Sequence, residues 1–508
     1  GDEEHDEASL KFLENSDVEN TYTKFGVSKT GDWGYVGFSY SDNEGVMGVP
    51  FHVEAHGEHD DDHAESEDEH DEHEGERIFS QIDSNKFDIK GSFNTSGYSL
   101  VNKVDFSFRD SSYSHLEGHA EEEGHDEDHS ESEEDGHGHE EPTLFETDAT
   151  EFGLIFDVGS DDVTRKVVVN IAEQDSSIIG EEAFMQPVST EETTMGYFVA
   201  RDFGSYRLDY GFRYDDISRS GSVAHHDEDH AEDEEGELEY YNQNLNTLSY
   251  ALNFDQDFSE NLSVNLGLSS FERAPDVVEL FMNGPHLATG RFEMGNPNLD
   301  TETSNNVDIT FNYQKDNMYA TFAYYQNSVS NYIYLKDEEH DEDHHDSEGE
   351  EEHGGLMHAE FVQEDASLEG YEFEVGSTHQ LANGTLDLSF GRDVVEGTLD
   401  AGGFIPRMAP SRNFYSASYS ESDYTFSAVL KDVADHDNVA EENETMTEGY
   451  KMLNLKLVKD YQIGKANLRV AAFANNALDQ VARNSTSFVK DAVPLPGRNV
   501  GLSIRLTY

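Results

Sequence analysis

Histidine and carboxylate side chains alternate in four segments of this chain, and both residue types bind metal ions. Of the 24 histidines, 20 lie in these segments, at residues 52–76, 115–141, 225–239 and 337–358, which we call the tracts. Neutral imidazole supported by carboxylates suits zinc and its first-row neighbours, whereas carboxylates alone favour calcium or magnesium. Because the chain has no cysteine, such an ion would have only nitrogen and oxygen ligands. The tracts therefore predict binding of zinc or another divalent transition metal.

The tract histidines are interchangeable as candidate ligands, because each tract offers many equivalent donors. Acidic runs are usually solvated loops that need no ligand, and this is the alternative interpretation of the tracts. Histidine favours metal capture, because a segment that serves solubility alone has no use for it. The candidate ligands in the tracts are His52, His56, His59, His63, His70, His73, His115, His119, His125, His129, His137, His139, His225, His226, His230, His340, His344, His345, His353 and His358.

One further histidine, His286, lies outside the tracts in the segment Asn283-Gly284-Pro285-His286. Glycine and proline define turn geometry, so this segment can present one imidazole in a fixed place. Glu279 and Glu293 flank it and are candidate oxygen ligands. The alternative interpretation is an ordinary loop histidine with two solvated carboxylates. We expect the tightest metal site near His286.

The charge balance excludes other classes of function. With 110 acidic against 31 basic side chains, the net charge of −79 rules out nucleic acid and an anionic cytoplasmic membrane face as electrostatic partners. No catalytic arrangement is visible, because His-x-x-x-His spacings such as His59 to His63 lie in runs too polar to form a packed helix. The sequence therefore predicts neither an enzyme nor a resident cofactor.

The sequence contains no apolar run of the ~20 residues that a membrane helix needs. The acidic opening at Gly1 is not a signal peptide, so we expect a mature or truncated piece.

Outside the tracts, polarity alternates with a period of two, which predicts β-strands. In residues 206–214, aromatic and aliphatic side chains share one face, while Arg207, Asp209 and Arg213 share the other. A soluble sandwich would bury the apolar face in a core, whereas a membrane barrel turns it toward lipid and turns the charged face toward the lumen.

The connections between strands decide between these two folds. Transmembrane barrels have short turns on one rim and long loops on the other, and this chain alternates in the same way. The final segment alternates up to a terminal aromatic residue, Tyr508, and resembles the closing strand of bacterial outer-membrane proteins. The predicted fold class is all-β, a transmembrane antiparallel β-barrel with roughly 19 visible strands and long acidic, histidine-rich extracellular loops. Short turns are predicted at residues 29–32, 94–97, 159–162, 202–204, 314–317, 379–384, 421–423 and 460–464.

Two segments resemble TonB-dependent outer-membrane receptors. Residues 271–309 contain ERAP, ELF and GNPNLDTETSNN, and residues 473–500 contain NNALDQ and PLPGRN. The NGPHLATG stretch and the tracts look most like the zinc-uptake branch of that family. The resemblance implies a barrel of roughly 22 strands. It also implies that residues 1–508 are the receptor's barrel domain, with the amino-terminal plug domain, the TonB box and about three strands missing.

The resemblance implies a function as well. Zinc, as the transported ligand rather than a cofactor, would be captured by the tracts and imported across the outer membrane of a Gram-negative bacterium. The implied partners are outer-membrane lipid and the TonB-ExbB-ExbD complex, which acts through the plug. Glu181 and Glu182, in the loop GEEAFMQP, resemble an equivalent stretch of the family and are further candidate ligands facing the lumen.

Two alternative functions stay open. One is a TonB-dependent receptor for a metal chelate such as a siderophore or haem, and the other is a metal-buffering surface barrel without transport. Aromatic side chains in the long loops would favour a chelate, and the long loops of this chain are nearly free of them. Selectivity among zinc, nickel, cobalt and copper does not follow from the sequence, because histidine and carboxylate accept all four.

Overall fold

The computed structural model describes residues 15–49, 78–95, 100–119, 142–180, 183–225, 237–338, 356–440 and 444–508. Over these ranges the chain forms 21 strands joined in one sheet, together with one short α-helix. Nineteen long strands form a wall in which each strand pairs with the next, and this confirms the predicted all-β barrel class and the expected strand number. The wall strands are β1 (Val18–Gly31), β2 (Gly34–Gly48), β3 (Ile78–Asn94), β4 (Lys103–His119), β5 (Thr143–Asp157), β6 (Val163–Ile179), β7 (Val188–Asp202), β8 (Tyr206–His225), β9 (Glu237–Ser259), β10 (Leu262–Arg273), β13 (Glu302–Lys315), β14 (Met318–Asp337), β15 (Met357–Gln380), β16 (Thr385–Leu399), β17 (Arg412–Glu421), β18 (Tyr424–Val433), β19 (Tyr450–Ile463), β20 (Ala466–Asn475) and β21 (Asn499–Thr507).

Short and long connections alternate around the wall as predicted. Each predicted short turn lies between two consecutive wall strands, from the link between β1 and β2 to the link between β19 and β20, and residues 96 and 97 of the predicted turn at 94–97 lie outside the described residues. The link between β13 and β14 is Asp316 and Asn317, and Asp316 has the left-handed backbone (φ 52°) that two-residue hairpin turns require. In the described part of the chain, β1 pairs only with β2 and β21 only with β20. None of the helices in the described ranges is long and apolar enough to span a membrane.

The two faces of the wall have opposite polarity, and the apolar face is the outer one. On β8, Tyr210 and Phe212 are 42% and 51% exposed, whereas Asp215 on the other face is 3% exposed. Asp215 accepts hydrogen bonds from the hydroxyl groups of Thr194 and Thr247 and from the Arg213 guanidinium. A water-soluble fold would not expose its aromatic side chains and enclose its carboxylates in this way. The arrangement matches the predicted barrel, in which the apolar face contacts lipid.

One long connection, residues 274–301, leaves the wall and packs inside the barrel mouth; we call it the mouth segment. Because β10 pairs directly with β13, this connection does not interrupt the pairing of neighbouring wall strands. It contains the helix α1 (Val277–Phe281) and two short strands, β11 (Asn283–His286) and β12 (Arg291–Met294). β12 also pairs with β15, and this pair is parallel.

The mouth segment is held by an apolar cluster. Leu280 and Phe281 of α1 have no exposed surface, and Phe281 packs against the backbone of Gly221 on β8, where an added Cβ would lie 2.7 Å from the phenyl ring. A long connection normally runs over the surface, so this burial fixes the segment in one place. The buried members of the cluster are Ile178, Met185, Val188, Val223, Val277, Leu280, Phe281, Leu299 and Ile333.

The loop before the last strand explains one of the two family-like motifs. Asn476 is 1% exposed, and its amide group donates to the carbonyl oxygens of Gln480 and Pro496 while accepting from the backbone N–H of Gln480. Asp479 pairs with Arg498 at 2.8 Å. The NNALDQ and PLPGRN segments are therefore the two ends of one loop, joined by hydrogen bonds that close it.

Candidate metal centre

His286 lies at the end of β11 in a tight hairpin of the mouth segment. β11 and β12 are antiparallel, with His286 opposite Arg291, and a short 3-10 turn at Leu287–Thr289 joins them. Gly290 ends this turn with a left-handed backbone (φ 65°), which glycine adopts without steric cost. The hairpin lies close to Phe184, so that a Cβ on Gly284 would come within 2.7 Å of the Phe184 backbone.

The hairpin brings His286 and Glu293 together. His286 Nδ1 lies 3.0 Å from Glu293 Oε1, and the side chain of Glu293 is only 5% exposed, compared with 31% for His286. The Thr289 hydroxyl lies 2.6 Å from the same carboxylate oxygen and 2.9 Å from the His286 carbonyl oxygen. An ionised carboxylate only accepts hydrogen bonds, so Nδ1 is the donor beside such a carboxylate; in a neutral ring the Nε2 lone pair is then left for another partner. Carboxylates orient metal-binding histidines in this manner.

A row of neighbouring aromatic rings links His286 to the barrel wall. Phe184 lies 4.9 Å from the His286 ring, Phe145 lies 5.8 Å from Phe184, and His115 lies 5.0 Å from Phe145. Tyr113 continues the row at 6.4 Å from His115. Phe184 comes from the connection between β6 and β7 and the others come from strand ends, so the aromatic row is assembled only by folding.

His115 is a second ordered imidazole at the mouth. It lies on β4, beyond the ~10 residues that a tilted strand needs to cross a bilayer. Its Nε2 lies 2.6 Å from the Ser80 hydroxyl, and burial lowers the pKa of His115 while Glu117 opposes this shift. A lowered pKa keeps the ring neutral, which is the form that binds metals.

The other described candidates lie in separate places. Glu279 caps α1: its carboxylate accepts from the Asp276 backbone N–H and from Arg273, both at 2.7 Å. His358 is beside Phe292 across the parallel pair and stacks on that ring at a centroid distance of 5.4 Å. Because side chains alternate along a strand, His358 and Phe292 project from the face opposite to Glu293.

The wall strands extend into the ends of the tracts, so that His115 and His119 lie in β4 and His225 in β8. The residues just after Glu181 and Glu182 contact the mouth segment, since the Phe184 carbonyl oxygen accepts from the Asn283 backbone N–H at 2.7 Å. The predicted ligands outside the described residues are Glu181, Glu182, His52, His56, His59, His63, His70, His73, His125, His129, His137, His139, His226, His230, His340, His344, His345 and His353.

Within the described ranges, no three His, Asp or Glu side chains converge as a preformed metal cluster. His286 with Glu293 is therefore a partial site that offers one oriented imidazole nitrogen. Sequence reasoning missed Thr289 and Phe184, which complete its surroundings. The signal was present for Thr289, because the glycine at position 290 predicts a hairpin turn between His286 and Glu293, and Thr289 lies in that turn.

Comparison with known proteins agrees with this architecture. The family described as TonB dependent receptor-like, beta-barrel matches residues 14–477. This chain belongs to the TonB-dependent receptors. The copper transporter OprC superposes on it with a TM-score of 0.71 at 12% identity, over 96% of this chain and 72% of that one. The FrpB iron transporter from Neisseria meningitidis (F3-3 variant) gives a TM-score of 0.63 at 12% identity, over 96% and 71%. The Serratia marcescens hemophore receptor HasR, in complex with its hemophore HasA and heme, gives 0.65 at 12% identity, over 96% and 71%.

Membership decides several properties at once. TonB-dependent receptors are transporters rather than enzymes, they bind metals or metal chelates, and they couple to TonB. They are Gram-negative outer-membrane proteins, so the exposed aromatic face of this receptor contacts lipid. The rim with long connections, which carries His286 and His115, is then the extracellular one.

Proposed function

We propose that this receptor captures zinc, or a closely related divalent transition metal, in two stages. The tracts bind the ion first at many weak sites and raise its concentration at the mouth. His286 then binds it through Nε2, with tract side chains completing the coordination sphere. Import driven by TonB through a plug domain is proposed for the whole receptor.

The contact between His286 Nδ1 and Glu293 Oε1 is the observation that carries this proposal. Zinc binds neutral imidazole at one ring nitrogen while the other nitrogen donates to a carboxylate. Here a nearly buried carboxylate fixes the ring, and the ring itself is partly open to the mouth. Histidine and carboxylate in the tracts supply the remaining nitrogen and oxygen ligands that a four-coordinate ion needs.

Zinc titration of the barrel in detergent micelles tests the proposal. A competing chelator should hold free zinc low enough to record only the tightest event. We expect one tight event in the unaltered receptor and its loss in His286→Ala. His379→Ala, which removes an exposed histidine on the opposite rim, is the matched control and should change nothing. A tight event that survives His286→Ala would overturn the assignment of this imidazole.

The tracts are tested separately by calorimetry without the chelator. Removing them should abolish several weak events, while an unchanged stoichiometry would contradict their role. Protons compete for imidazole nitrogen, so weak capture by the tracts should decline as pH falls through about 7 to 6. Equal affinities at pH 5.5 and pH 7.5 would make carboxylates the ligands.

The aromatic row favours a second candidate, a receptor for a planar metal chelate such as haem. Phe145 and Phe184 lie between the two imidazoles of His115 and His286 at the mouth, and Tyr113 lies beyond His115, although the long loops themselves are poor in aromatic residues. Haem would quench intrinsic fluorescence on binding and shift its own absorption band. A higher affinity for haem than for free zinc, together with a lower affinity for haem in Phe145→Ala, would favour this candidate over zinc.

A further inference from the structure

A second group of buried charged side chains lies behind the hairpin, and Arg291 is its central member. The Arg291 guanidinium donates from Nε and Nη2 to the two carboxylate oxygens of Asp337, at 2.8 and 2.9 Å. The two side chains are 9% and 3% exposed. Such two-point arginine–carboxylate contacts fix orientation as well as distance. Asp337 is the last residue of β14, so this pair ties the hairpin to the barrel wall.

Arg291 also touches the hairpin turn that forms the metal centre. Its Nη1 donates to the Thr289 carbonyl oxygen at 2.7 Å, and the Thr289 hydroxyl in turn contacts Glu293 and the His286 carbonyl oxygen. Hydrogen bonds therefore connect Asp337 to the carboxylate that orients His286, and they are joined at Thr289 through its backbone and its side chain. Networks of this kind fix side chains more firmly than isolated bonds do.

Arg407 and Phe488 complete the set from two other connections. Arg407 lies 3.6 Å from Asp337 Oδ2 and donates to the Leu335 carbonyl oxygen at 2.7 Å. Both guanidinium groups contact the Phe488 ring, at 4.7 Å for Arg291 and 4.1 Å for Arg407. One carboxylate and one aromatic ring thus contact both guanidinium groups.

We propose that Asp337, Arg407 and Phe488 are positioning residues for the metal centre, acting through Arg291 on the hairpin that presents His286. The inference rests on the proposed function, because it assumes that His286 binds the ion. It adds that the connections at residues 400–411 and 476–498 set the affinity of a site to which they contribute no ligand. Direct hydrogen-bond partners of metal ligands change metal affinity by about 10- to 100-fold, and residues that act through Arg291 and Thr289 should lie at the lower end of that range.

The test compares Asp337→Asn with Asp393→Asn. Asp393 also holds an arginine, Arg412, with bonds at 2.8 and 2.5 Å, but it lies in the wall away from the hairpin. With zinc buffered by a chelator, we expect Asp337→Asn to weaken the tight event about 10-fold or more and Asp393→Asn to leave it unchanged. Equal losses in both variants would show a general effect on the barrel and overturn the inference.

Cobalt can replace zinc, and its absorption spectrum provides a second measurement. A substitution of a residue with a merely structural role would leave this spectrum unchanged. The visible absorption of cobalt reports the number and geometry of ligands, so Asp337→Asn should change the spectrum of the tight site while the weak tract events stay the same. Phe488→Leu keeps Asp337 and both arginines, so it replaces Asp337→Asn in the test if that variant does not fold. It should weaken the tight binding event by a smaller factor than Asp337→Asn. An unchanged affinity and spectrum in both variants would overturn the inference.

His286→Ala in the same series separates the two proposals. If it leaves tight binding intact, the proposed metal centre fails. If it abolishes tight binding while Asp337→Asn and Phe488→Leu behave as the unaltered receptor, only the positioning role fails.

Discussion

The wall and the mouth segment of this receptor follow opposite rules of burial. The wall encloses polar side chains such as Asp215 and exposes aromatic ones such as Phe212, whereas the mouth segment buries Leu280 and Phe281 completely. Lipid is the solvent of the outer wall, so apolar side chains are stable there without a core. The mouth segment meets water and buries its apolar side chains in a core that it shares with wall residues such as Val223 and Ile333. The difference shows that the candidate metal centre is positioned by a buried apolar cluster at the water-facing mouth of a membrane protein.

The largest effect should follow from Phe281→Ala. Removing a fully buried phenyl ring costs about 3–5 kcal/mol, and here the loss should fall on the mouth segment rather than on the wall. Hydrogen exchange of backbone amides in residues 277–299 measures it, with wall amides as the internal reference. Phe271→Ala removes a ring that is 49% exposed and should change protection within about 0.5 kcal/mol. Equal loss of protection in mouth and wall would remove the distinction between them.

Tyr210→Arg tests the wall. An arginine on the lipid face near the bilayer midplane costs about 2–4 kcal/mol. Arg207→Leu is the control, because Arg207 is half exposed on the inner face and bonds only to Asp209 in the described ranges. Folding equilibria in lipid vesicles measure both changes. Spin labels at Leu208 and Tyr210 should be relaxed by oxygen more than by a water-soluble nickel chelate, and equal protection from both reagents would mean a dry protein core there.

A smaller effect is expected for Asn476→Ala in the loop before the last strand. The substitution leaves the Gln480 backbone N–H and two carbonyl oxygens without their partner, which costs about 1–3 kcal/mol. Asn467→Ala, on an exposed position of β20, should stay within about 0.5 kcal/mol. Thermal unfolding in detergent compares the two. If both variants melt with the unaltered receptor, the motif does not serve to close this loop.

The smallest effect concerns pH and His436, which is 5% exposed in the connection between β18 and β19. Burial lowers its pKa, and Lys490 adds to this while Glu444 and Asp437 oppose it. When the pH falls below the ordinary histidine pKa of about 6.5, His436 binds a proton more readily in the unfolded loop than in the folded loop. The stability of the folded loop therefore falls as the pH falls. Amide exchange at residues 434–449 should show this decline, and His436→Gln should remove it. His379→Gln should leave the decline in place; the same decline in His436→Gln would assign it to another group.

Much of the wall was predictable because its signal is local. Alternation along residues 206–214 predicts both faces of β8, and glycine, aspartate and asparagine mark the short turns that join neighbouring strands. The motif near Asn476 predicted family membership, but not the loop closure that explains it. The pairing of His286 with Glu293 was half predicted, since both were named as candidates and only the hairpin register shows that they touch.

The sequence by itself determined the strand period, the alternation of short and long connections and the identity of the candidate metal ligands, because each of these depends on near neighbours in the chain. The tertiary structure alone decided which candidates meet. Arg291 and Asp337 are 46 residues apart, and Phe184 reaches His286 from a different connection. Contacts over such separations depend on how the wall closes around the mouth segment, and no local pattern encodes that geometry.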